Sequence, residues 1–427
     1  MDTRIKLVHA RHLIDCKTRG ILEVEITTND GVRGRGSSPT GTSVGSREAM
    51  VMRDNDPKLF LGSSVYKAVD LINEEIAQKL IGMDVEEQKL FDEFLLNLDG
   101  TENKSKLGGN VIFALSAACL DAAAKSHKKD VHQYLLGGKK ASQLPIPIIN
   151  MFNGGSYRDF SMQFQEFGVI PYKAQNMQEA INMGVTIFSK VGELVKKKQN
   201  GFPPGIANYF GHMPISNDPM DLFQCIDEAV ESCGYKGKVC YYTDIAASEF
   251  YDPEKGTYHF MGKDIDSDEL IGYVRDLINR FPFFGVEDIL FEDDFQGFTK
   301  AKSTLKNTNI IGDDLICSNI KYLQKAIELD SCSGIVLKPN QVGTITECMA
   351  TVNLAKSEEV LILPSVRAGG MVDDIVKEIA VAIEAPLVKC GAPRSGERIS
   401  FLNTLMRAGD EYPEARLAVL KGEQPWL

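Results

Sequence analysis

Six short apolar runs in the second half of the chain each lead into a side chain that can do chemistry. Each run is long enough for one strand, and the residues between runs show apolar positions at helical spacing. Buried parallel strands read as continuous apolar runs, and a barrel of strand-helix units carries its chemistry at the C-terminal ends of its strands. The pattern therefore predicts an α/β parallel barrel with these side chains at one mouth. The side chains are Asp244, Glu287, Asp313, Lys338, Ser365 with Arg367 just beyond it, and Lys389.

The predicted mouth combines three carboxylates with two lysines. A single acidic residue at a strand end is more often a solvated loop charge or a helix cap, but the full series favours one site. Carboxylates without neighbouring histidine or cysteine suit a hard cation with oxygen ligands, which favours Mg²⁺ over Zn²⁺. The two lysines would then face an anion bound to that metal.

The first part of the chain has a different pattern, with strands before helices. Apolar alternation predicts strands at 4–9 and 20–28, and a turn at Asn29-Asp30-Gly31 after which the chain leads outward. Helical spacing predicts helices at 64–80, 85–98 and 110–126, the last nearly apolar all round and therefore buried. Prolines at 145 and 147 mark a junction. We predict an α+β capping domain at 1–138 and a barrel catalytic domain at 139–427.

A loop rich in glycine and hydroxyl side chains lies between Gly36 and Gly45. It could be a mobile lid that carries an oxygen ligand, or a flexible surface loop. The local sequence leaves both interpretations open.

Composition narrows the possible partners. The chain has 427 residues, of which 43% are apolar and 25% charged, as in ordinary globular proteins. Its net charge of −12 and the lack of a sustained Lys/Arg block argue against nucleic acid. The nine cysteines form no disulfide framework, no apolar run has the length of a membrane span, and the N-terminal sequence has no signal-peptide pattern. We expect a cytoplasmic protein with no membrane partner.

Several segments match one family in order and spacing. The chain resembles enolase, the phosphopyruvate hydratase family, along nearly its whole length. The matching segments are Pro39-Thr40-Gly41 with Glu48-Ala49, Leu98-Asp99-Gly100-Thr101, Asn153-Gly154-Gly155-Ser156, Gln165-Glu166-Phe167, Asp244 to Tyr251, Glu287-Asp288, Gly312-Asp313-Asp314-Leu315, Lys338 to Thr344, and Gly391-Ala392-Pro393 with Glu397-Arg398.

The resemblance implies a modified TIM-type (β/α)8 barrel that opens with two strands and two helices, capped by the N-terminal domain. It implies one or two Mg²⁺ ions, a small anionic carboxylate or phosphate substrate, and a homodimer or higher homo-oligomer. Asp244, Glu287 and Asp313 would hold the first metal, and the hydroxyl of Thr40 would serve a second. Lys338 would be the base, Lys389 would bind the substrate carboxylate and Arg367 its phosphate. Gln165 and Glu166 would line the site.

The chain departs from the family where the leaving group and the phosphate would lie. The family's acidic glutamate is replaced by Tyr209 in the run Ala207 to His212, and its lid histidine is replaced by Tyr157. Its Ser-His-Arg-Ser run reads Ser365-Val366-Arg367-Ala368, so a second histidine and a phosphate-binding serine are missing. A phenol with a pKa near 10 is a weak substitute for a carboxylate. Tyr209, Tyr157 and His212 would take over the roles of the missing residues, with His212 as a candidate general acid.

Three functions remain open at this point. The first is a lyase that removes the α-proton of 2-phosphoglycerate through an enediolate and gives phosphoenolpyruvate and water. The second is a paralogue that acts on a related phosphonate or phosphorylated acid with a different second half-reaction. The third is a non-catalytic binding protein on the same scaffold. The full set of acids and lysines disfavours the third, and the missing glutamate disfavours the first.

Overall fold

The computed structural model describes residues 2–41, 45–155 and 162–420. Its N-terminal part begins with an antiparallel sheet of three strands, β1 (Ile5–Ile14), β2 (Gly20–Thr28) and β3 (Arg33–Ser37). The predicted second strand has the observed bounds, and β1 extends further than predicted. The segment after the 29–31 turn does not lead outward but returns as β3. A Cβ atom on Gly34 would lie 2.2 Å from the backbone nitrogen of Ala122, so β3 uses glycine for close helix contact and shows no apolar pattern.

Five α-helices follow the sheet in the described residues. They are α1 (Tyr66–Asp70), α2 (Ala77–Leu80), α3 (Gln88–Asp99), α4 (Gly109–Ser126) and α5 (Val131–Leu135). A π-helical turn at Leu71–Ile76 joins α1 to α2. Helix α4 packs against β2 and β3 on one side and α3 and α5 on others, so nearly every side chain of it is buried, as its sequence predicts.

The remaining chain alternates strands and helices. The strands are β4 (Gln143–Leu144), β5 (Ile146–Asn153), β6 (Glu166–Ile170), β7 (Cys240–Asp244), β8 (Tyr251–Asp252), β9 (Thr257–Phe260), β10 (Lys263–Ile265), β11 (Phe283–Glu287), β12 (Asn309–Gly312), β13 (Gly334–Leu337), β14 (Leu361–Pro364), β15 (Leu387–Gly391) and β16 (Arg416–Leu417). The helices are α6 (Met177–Lys198), α7 (Pro219–Ser232), α8 (Ser267–Arg280), α9 (Phe295–Thr304), α10 (Ile320–Glu328), α11 (Pro339–Val342), α12 (Ile345–Ser357), α13 (Val376–Ala382) and α14 (Gly396–Glu411).

Eight of these strands form a nearly closed barrel in the order β14-β13-β12-β11-β7-β6-β5-β15. A parallel bridge between Ser365 and Lys389 joins its two edges. Strand β6 runs antiparallel to both neighbours, and α6 and α7 follow before β7, so the barrel opens with two strands and two helices. The fold is α/β, a modified (β/α)8 barrel preceded by an N-terminal domain, as predicted. The predicted boundary at 138/139 falls in the connection between α5 and β4.

Side chains at alternate positions of the barrel strands fill the interior of the barrel. These side chains form a buried apolar cluster below the mouth, and they include Ile148, Cys240, Tyr242, Phe284, Ile311, Val336, Leu363 and Leu387. The opposite faces of the strands pack against the outer helices in the largest cluster. Because the interior is packed with apolar side chains, a functional site is expected at the ends of the strands. In the described part of the chain, no helix is both long and apolar enough to cross a bilayer.

Candidate active site

The topology brings the predicted side chains to one end of the barrel. Asp244 and Glu287 are the last residues of β7 and β11, and Asp313, Lys338 and Ser365 directly follow β12, β13 and β14. Glu166 is the first residue of β6, but β6 runs in reverse, so its beginning lies beside the end of β7 and Glu166 pairs in register with Asp244. One pocket is lined by Gln165, Glu166, Tyr209, Asp244, Lys338, Ser365, Arg367 and Lys389, together with neighbouring residues.

The ammonium of Lys389 lies among three carboxylates. Its Nζ is 3.1 Å from Glu166 Oε2 and 3.4 Å from Asp244 Oδ2, and it donates a short hydrogen bond to Glu287 Oε2. Burial alone would lower the pKa of Lys389, but the charges of Glu166, Glu287 and Asp244 raise it well above its ordinary value. Lys389 is therefore a fixed cation at the floor of the site.

Glu166, Asp244 and Glu287 form a group in which one carboxylate oxygen of each residue lies within 4.8 Å of the other two. Burial raises the pKa of Asp244 and, together with the charge of Asp244, that of Glu287. The Tyr242 hydroxyl donates to Glu287 Oε2 at 2.6 Å, and yet Asp244 Oδ1 and Glu287 Oε1 are buried without a hydrogen-bond partner among the described residues. Buried carboxylate oxygens left without donors are the ligands that a hard divalent cation takes. This donor set fits Mg²⁺.

Asp313 belongs to a second group of acids, with Asp288 and Asp314. Its Oδ2 accepts a short hydrogen bond from Lys338 Nζ, and its Oδ1 accepts one from Gln341 Nε2 at 3.2 Å. Burial and the neighbouring charges raise the pKa of Asp288 to about 8. The structure thus groups Glu166, rather than Asp313, most closely with Asp244 and Glu287.

Lys338 is the predicted base, and a base must be neutral when it acts. Burial would lower the pKa of Lys338, but the adjacent charge of Asp313 raises it above its ordinary value. The same contact lowers the pKa of Asp313 against the effect of its burial. Lys338 and Asp313 therefore form a partly buried ion pair in which the lysine is held protonated.

Arg367 is buried and bound in a fork. Its Nη1 donates to Glu48 Oε2 at 2.9 Å, and its Nη2 donates to Glu48 Oε1 at 3.0 Å. Nη1 also donates to Asn340 Oδ1 at 3.3 Å. Ser365 lies beside it, and its hydroxyl donates to the backbone oxygen of Val366 at 3.0 Å. The N-terminal domain thus contributes Glu48, which sequence reasoning did not single out although it lies in a matching segment.

Tyr209 and Gln165 form the side of the pocket nearest the 202–219 loop. Gln165 Nε2 donates to Asp244 Oδ2 at 3.1 Å, and the Tyr209 hydroxyl donates to Gln165 Oε1 at 3.4 Å. From the β1–β2 turn, Lys17 Nζ donates to Asn208 Oδ1 at 2.7 Å and lies 4.6 Å from the centre of the Tyr209 ring. The phenol predicted to replace the family's acid therefore does lie at the pocket.

Two other predicted residues lie away from the pocket, and a third is outside the described residues. His212 is stacked on Phe188 in the core, its Nε2 lies 3.0 Å from the Phe188 carbonyl oxygen, and burial lowers its pKa. It contributes nothing to the described pocket lining, because its ring faces α6. The Thr40 hydroxyl donates to Asp15 Oδ2 at 3.4 Å, and Thr40 is not among the described residues that line the pocket. Tyr157 lies outside the described residues.

The arrangement suits proton abstraction next to a carboxylate. A substrate carboxylate would find a buried cation in Lys389 and in any metal held by the acids, and a second amine in Lys338. Charge that develops on the carboxylate during abstraction would be stabilised by these fixed positive groups. Neither a nucleophilic serine with a histidine nor a cysteine with a histidine lines the described pocket.

Comparisons with known proteins agree with this geometry. Residues 5–135 match the family model described as "Enolase, N-terminal domain", and residues 141–424 match "Enolase, C-terminal TIM barrel domain". Proteins named enolase from two strains of Methanococcus maripaludis are 36% identical to the chain over 411 residues, 96% of each sequence. A protein named enolase from Saccharolobus islandicus is 36% identical over 408 residues, again 96% of each. The chain belongs to the enolase family, a family of Mg²⁺-dependent lyases.

Proposed function

We propose that the chain removes the α-proton of a small phosphorylated hydroxy-carboxylate, with 2-phosphoglycerate as the substrate and phosphoenolpyruvate and water as the products. The observation that carries this proposal is the presence of two lysines, the half-buried Lys338 and the buried Lys389, in one pocket with Glu166 and Asp244. Lys389 also donates to the buried Glu287. Family membership gives the class of reaction, and the pocket suggests which residues perform it.

Lys338 is the proposed base. Its Nζ accepts the proton from the carbon next to the substrate carboxylate, and the electron pair of the C–H bond moves toward that carboxylate. Lys389 stays protonated, because three carboxylates hold its pKa high, and it offsets the added negative charge. Lys338 must be neutral when it acts, so the negative field of Asp313 has to be offset when the substrate is bound.

Mg²⁺ would be held by Asp244, Glu287 and either Glu166 or Asp313. When bound, it supplies positive charge that stabilises the electron-rich carboxylate and offsets the field of the acids. The Thr40 hydroxyl stays a prediction for a second ion. Its hydrogen is donated to Asp15, which leaves its oxygen lone pairs for a cation.

The second half of the reaction expels hydroxide from the neighbouring carbon as the carbon–carbon double bond forms. The leaving oxygen needs a proton to become water, and we assign its delivery to the Tyr209 hydroxyl. The phenol is oriented by Gln165 and by the Lys17 ammonium near its ring. Arg367 is assigned to the phosphate and Ser365 to the same end of the substrate.

A second candidate function keeps the first half and changes the second. It is favoured by one observation: the described residues from 202 to 219 contain no glutamate. The resemblance to the family puts Tyr209 at the position of its acid. The substrate would then be a related phosphonate or phosphorylated acid that needs no loss of hydroxide.

A coupled assay for phosphoenolpyruvate formed from 2-phosphoglycerate with Mg²⁺ separates the two. Turnover of about 1 to 1000 per second supports the first function. Exchange of the α-proton in D₂O without phosphoenolpyruvate supports the second. The absence of both turnover and exchange would contradict both functions. The homo-oligomeric state and the cytoplasmic location stay predictions, and light scattering tests the former.

A further inference from the structure

Lys17, in the turn that joins β1 to β2, brings a charge of the N-terminal domain to the ring of Tyr209. Its side chain is half-buried, its Nζ donates to Asn208 Oδ1 at 2.7 Å, and Nζ lies 4.6 Å from the centre of that ring. Tyr209 is only 6% exposed and lines the pocket, where its hydroxyl donates to Gln165 Oε1 at 3.4 Å. The phenol therefore has a cation against its ring and its hydroxyl at the pocket.

The backbone that carries Lys17 is held on both sides. Asp15 Oδ1 accepts hydrogen bonds from the backbone nitrogens of Lys17 at 2.8 Å and Arg19 at 2.9 Å. The backbone nitrogen of Cys16 donates to the backbone oxygen of Gly370 at 3.1 Å, in the segment that follows β14. The turn is thus fixed against the barrel, and Lys17 reaches the 202–219 loop from a fixed backbone.

The surroundings of Lys17 set the pH range over which it carries its charge. Burial and, after it, the charge of Arg19 lower the pKa of Lys17 to about 8. Arg398 of α14 acts in the same direction, while Cys16 and Asp15 of the turn oppose it. The group that faces Lys17 from the 202–219 loop is the Tyr209 phenol. Lys17 is therefore charged at pH 7 and loses its charge as the pH rises through about 8.

We propose that Lys17 is a positioning residue whose charge the loss of water requires, because its ammonium stabilises the phenolate that Tyr209 becomes when it gives up its proton. This inference rests on the proposed function and adds to it a condition on the second half of the reaction alone. A cation near an aromatic ring is attracted to it, and a fixed cation opposes negative charge that develops beside it.

The step balances without any further reactant. The O–H bond of Tyr209 breaks and leaves its electron pair on the phenolate oxygen. The carbon–oxygen bond of the substrate breaks and leaves its pair on the departing oxygen, which takes the proton and becomes water. The phenolate regains a proton from solvent after the product has left. Abstraction of the α-proton by Lys338 comes before this step and does not use the phenol.

The test compares two rates in the full chain with Mg²⁺ and 2-phosphoglycerate, between about pH 6 and 9.5. One is the formation of phosphoenolpyruvate, and the other is exchange of the α-proton in D₂O. Lys17→Met removes the charge and keeps a side chain of similar length, and Lys17→Arg keeps the charge throughout this range. The matched control is Lys6→Met, which removes an exposed lysine of β1.

We expect Lys17→Met to lower product formation about 5- to 30-fold near pH 7, the size of a lost cation–aromatic contact, while exchange stays within about twofold. Lys17→Arg should keep product formation within about threefold of the unaltered chain, and Lys6→Met should change neither rate. In the unaltered chain, the ratio of product formation to exchange should fall as the pH rises through about 8. Lys17→Arg should lose that fall, because arginine stays charged.

A folded Lys17→Met with unchanged product formation would overturn the proposal, and so would an equal fall in product formation and exchange, which is what a purely structural lysine gives. If Lys17→Met does not fold, Lys17→Arg decides, since an unchanged fall above pH 8 in that variant also overturns it. In a Tyr209→Phe background, Lys17→Met should have no further effect on product formation. An unaltered chain that forms no phosphoenolpyruvate contradicts the proposed function and this inference together, whereas an active chain whose Lys17 variants match it contradicts this inference alone.

Discussion

Glu166 and Asp244 are register partners on two neighbouring strands, although one begins its strand and the other ends its own. The antiparallel direction of β6 makes this possible. It adds a third carboxylate to the pair formed by Asp244 and Glu287, and it places that carboxylate 3.1 Å from Lys389. The central negative charge of the site thus depends on the one reversed strand.

Mg²⁺ should stabilise the folded chain through these acids. At a concentration of about 100 times Kd, a ligand that binds only the folded state adds about 2.7 kcal/mol to the free energy of unfolding. Asp244→Asn removes a ligand charge and should abolish most of the rise in melting temperature on addition of Mg²⁺. Asp276→Asn, at an exposed position of α8, is the control and should keep it. Equal Mg²⁺-induced shifts in both variants would place the ion elsewhere, and EDTA should remove the shift and the activity of the unaltered chain.

Tyr209 should matter for loss of water and not for loss of the proton. Tyr209→Phe removes the hydroxyl that contacts Gln165. We expect phosphoenolpyruvate formation to fall about 100-fold or more, in the range measured for lost general acids, while α-proton exchange stays within about threefold. Tyr209→Glu should restore at least part of the lost rate, because a carboxyl group that stays protonated in the complex donates its proton more readily than a phenol does.

Equal rates of phosphoenolpyruvate formation in the Phe variant and the unaltered chain would remove Tyr209 from the mechanism. A parallel fall in exchange and product formation would instead assign Tyr209 to substrate binding.

His132 predicts a pH dependence of stability far from the pocket. On α5, its Nδ1 lies 2.6 Å from Glu378 Oε2 of α13 and its Nε2 lies 3.1 Å from Glu411 Oε2 of α14. Burial would lower the pKa of His132, but Glu378 and Glu411 outweigh it and raise the pKa above 6.5. Burial would raise the pKa values of both glutamates, and the histidine contacts help to bring them below 4.5.

A raised histidine pKa gives stability that is complete below about pH 6.5 and is lost as the pH rises through the folded value. Lowered glutamate pKa values give stability that is present above about pH 4.5 and is lost as the pH falls. His132→Gln should therefore cost most between pH 5 and 6.5, about 1 to 3 kcal/mol, and less near pH 9. Urea unfolding measures this. His127→Gln, at an exposed pair with Glu86, is the control and should show little pH dependence. A cost for His132→Gln that is the same at pH 6 and 9 would refute the ion-pair account.

The barrel strands could be read from the sequence because each is an apolar run that ends in a functional side chain. All six runs form strands, from β7 to β15. The sequence pattern did not predict strand β3, because its contact with α4 depends on Gly34 and Gly36. Glycine has no side chain and therefore adds nothing to a hydrophobic pattern. The sequence pattern also gave no indication of the direction of β6, which the resemblance alone supplied through the expected pair of opening strands.

The sequence predicted that the acids and lysines lie at one mouth of the barrel. It did not predict which acid contacts which lysine. Asp313 pairs with Lys338, and Glu166 joins Asp244 and Glu287, because side-chain reach at the mouth depends on strand register and direction. His212 was a candidate acid from its place in the loop, yet its ring packs on Phe188.

The central claim is that Lys338 takes the α-proton. The most direct measurement is the loss of the α-proton signal of 2-phosphoglycerate in D₂O with Mg²⁺, followed by NMR, for the unaltered chain, Lys338→Ala and Lys338→Arg. Arginine keeps the positive charge but cannot be deprotonated, so it separates a base from a fixed cation. We predict exchange in the unaltered chain and a fall of about 100- to 10,000-fold in both variants. Exchange that survives in Lys338→Arg at the unaltered rate would contradict the account.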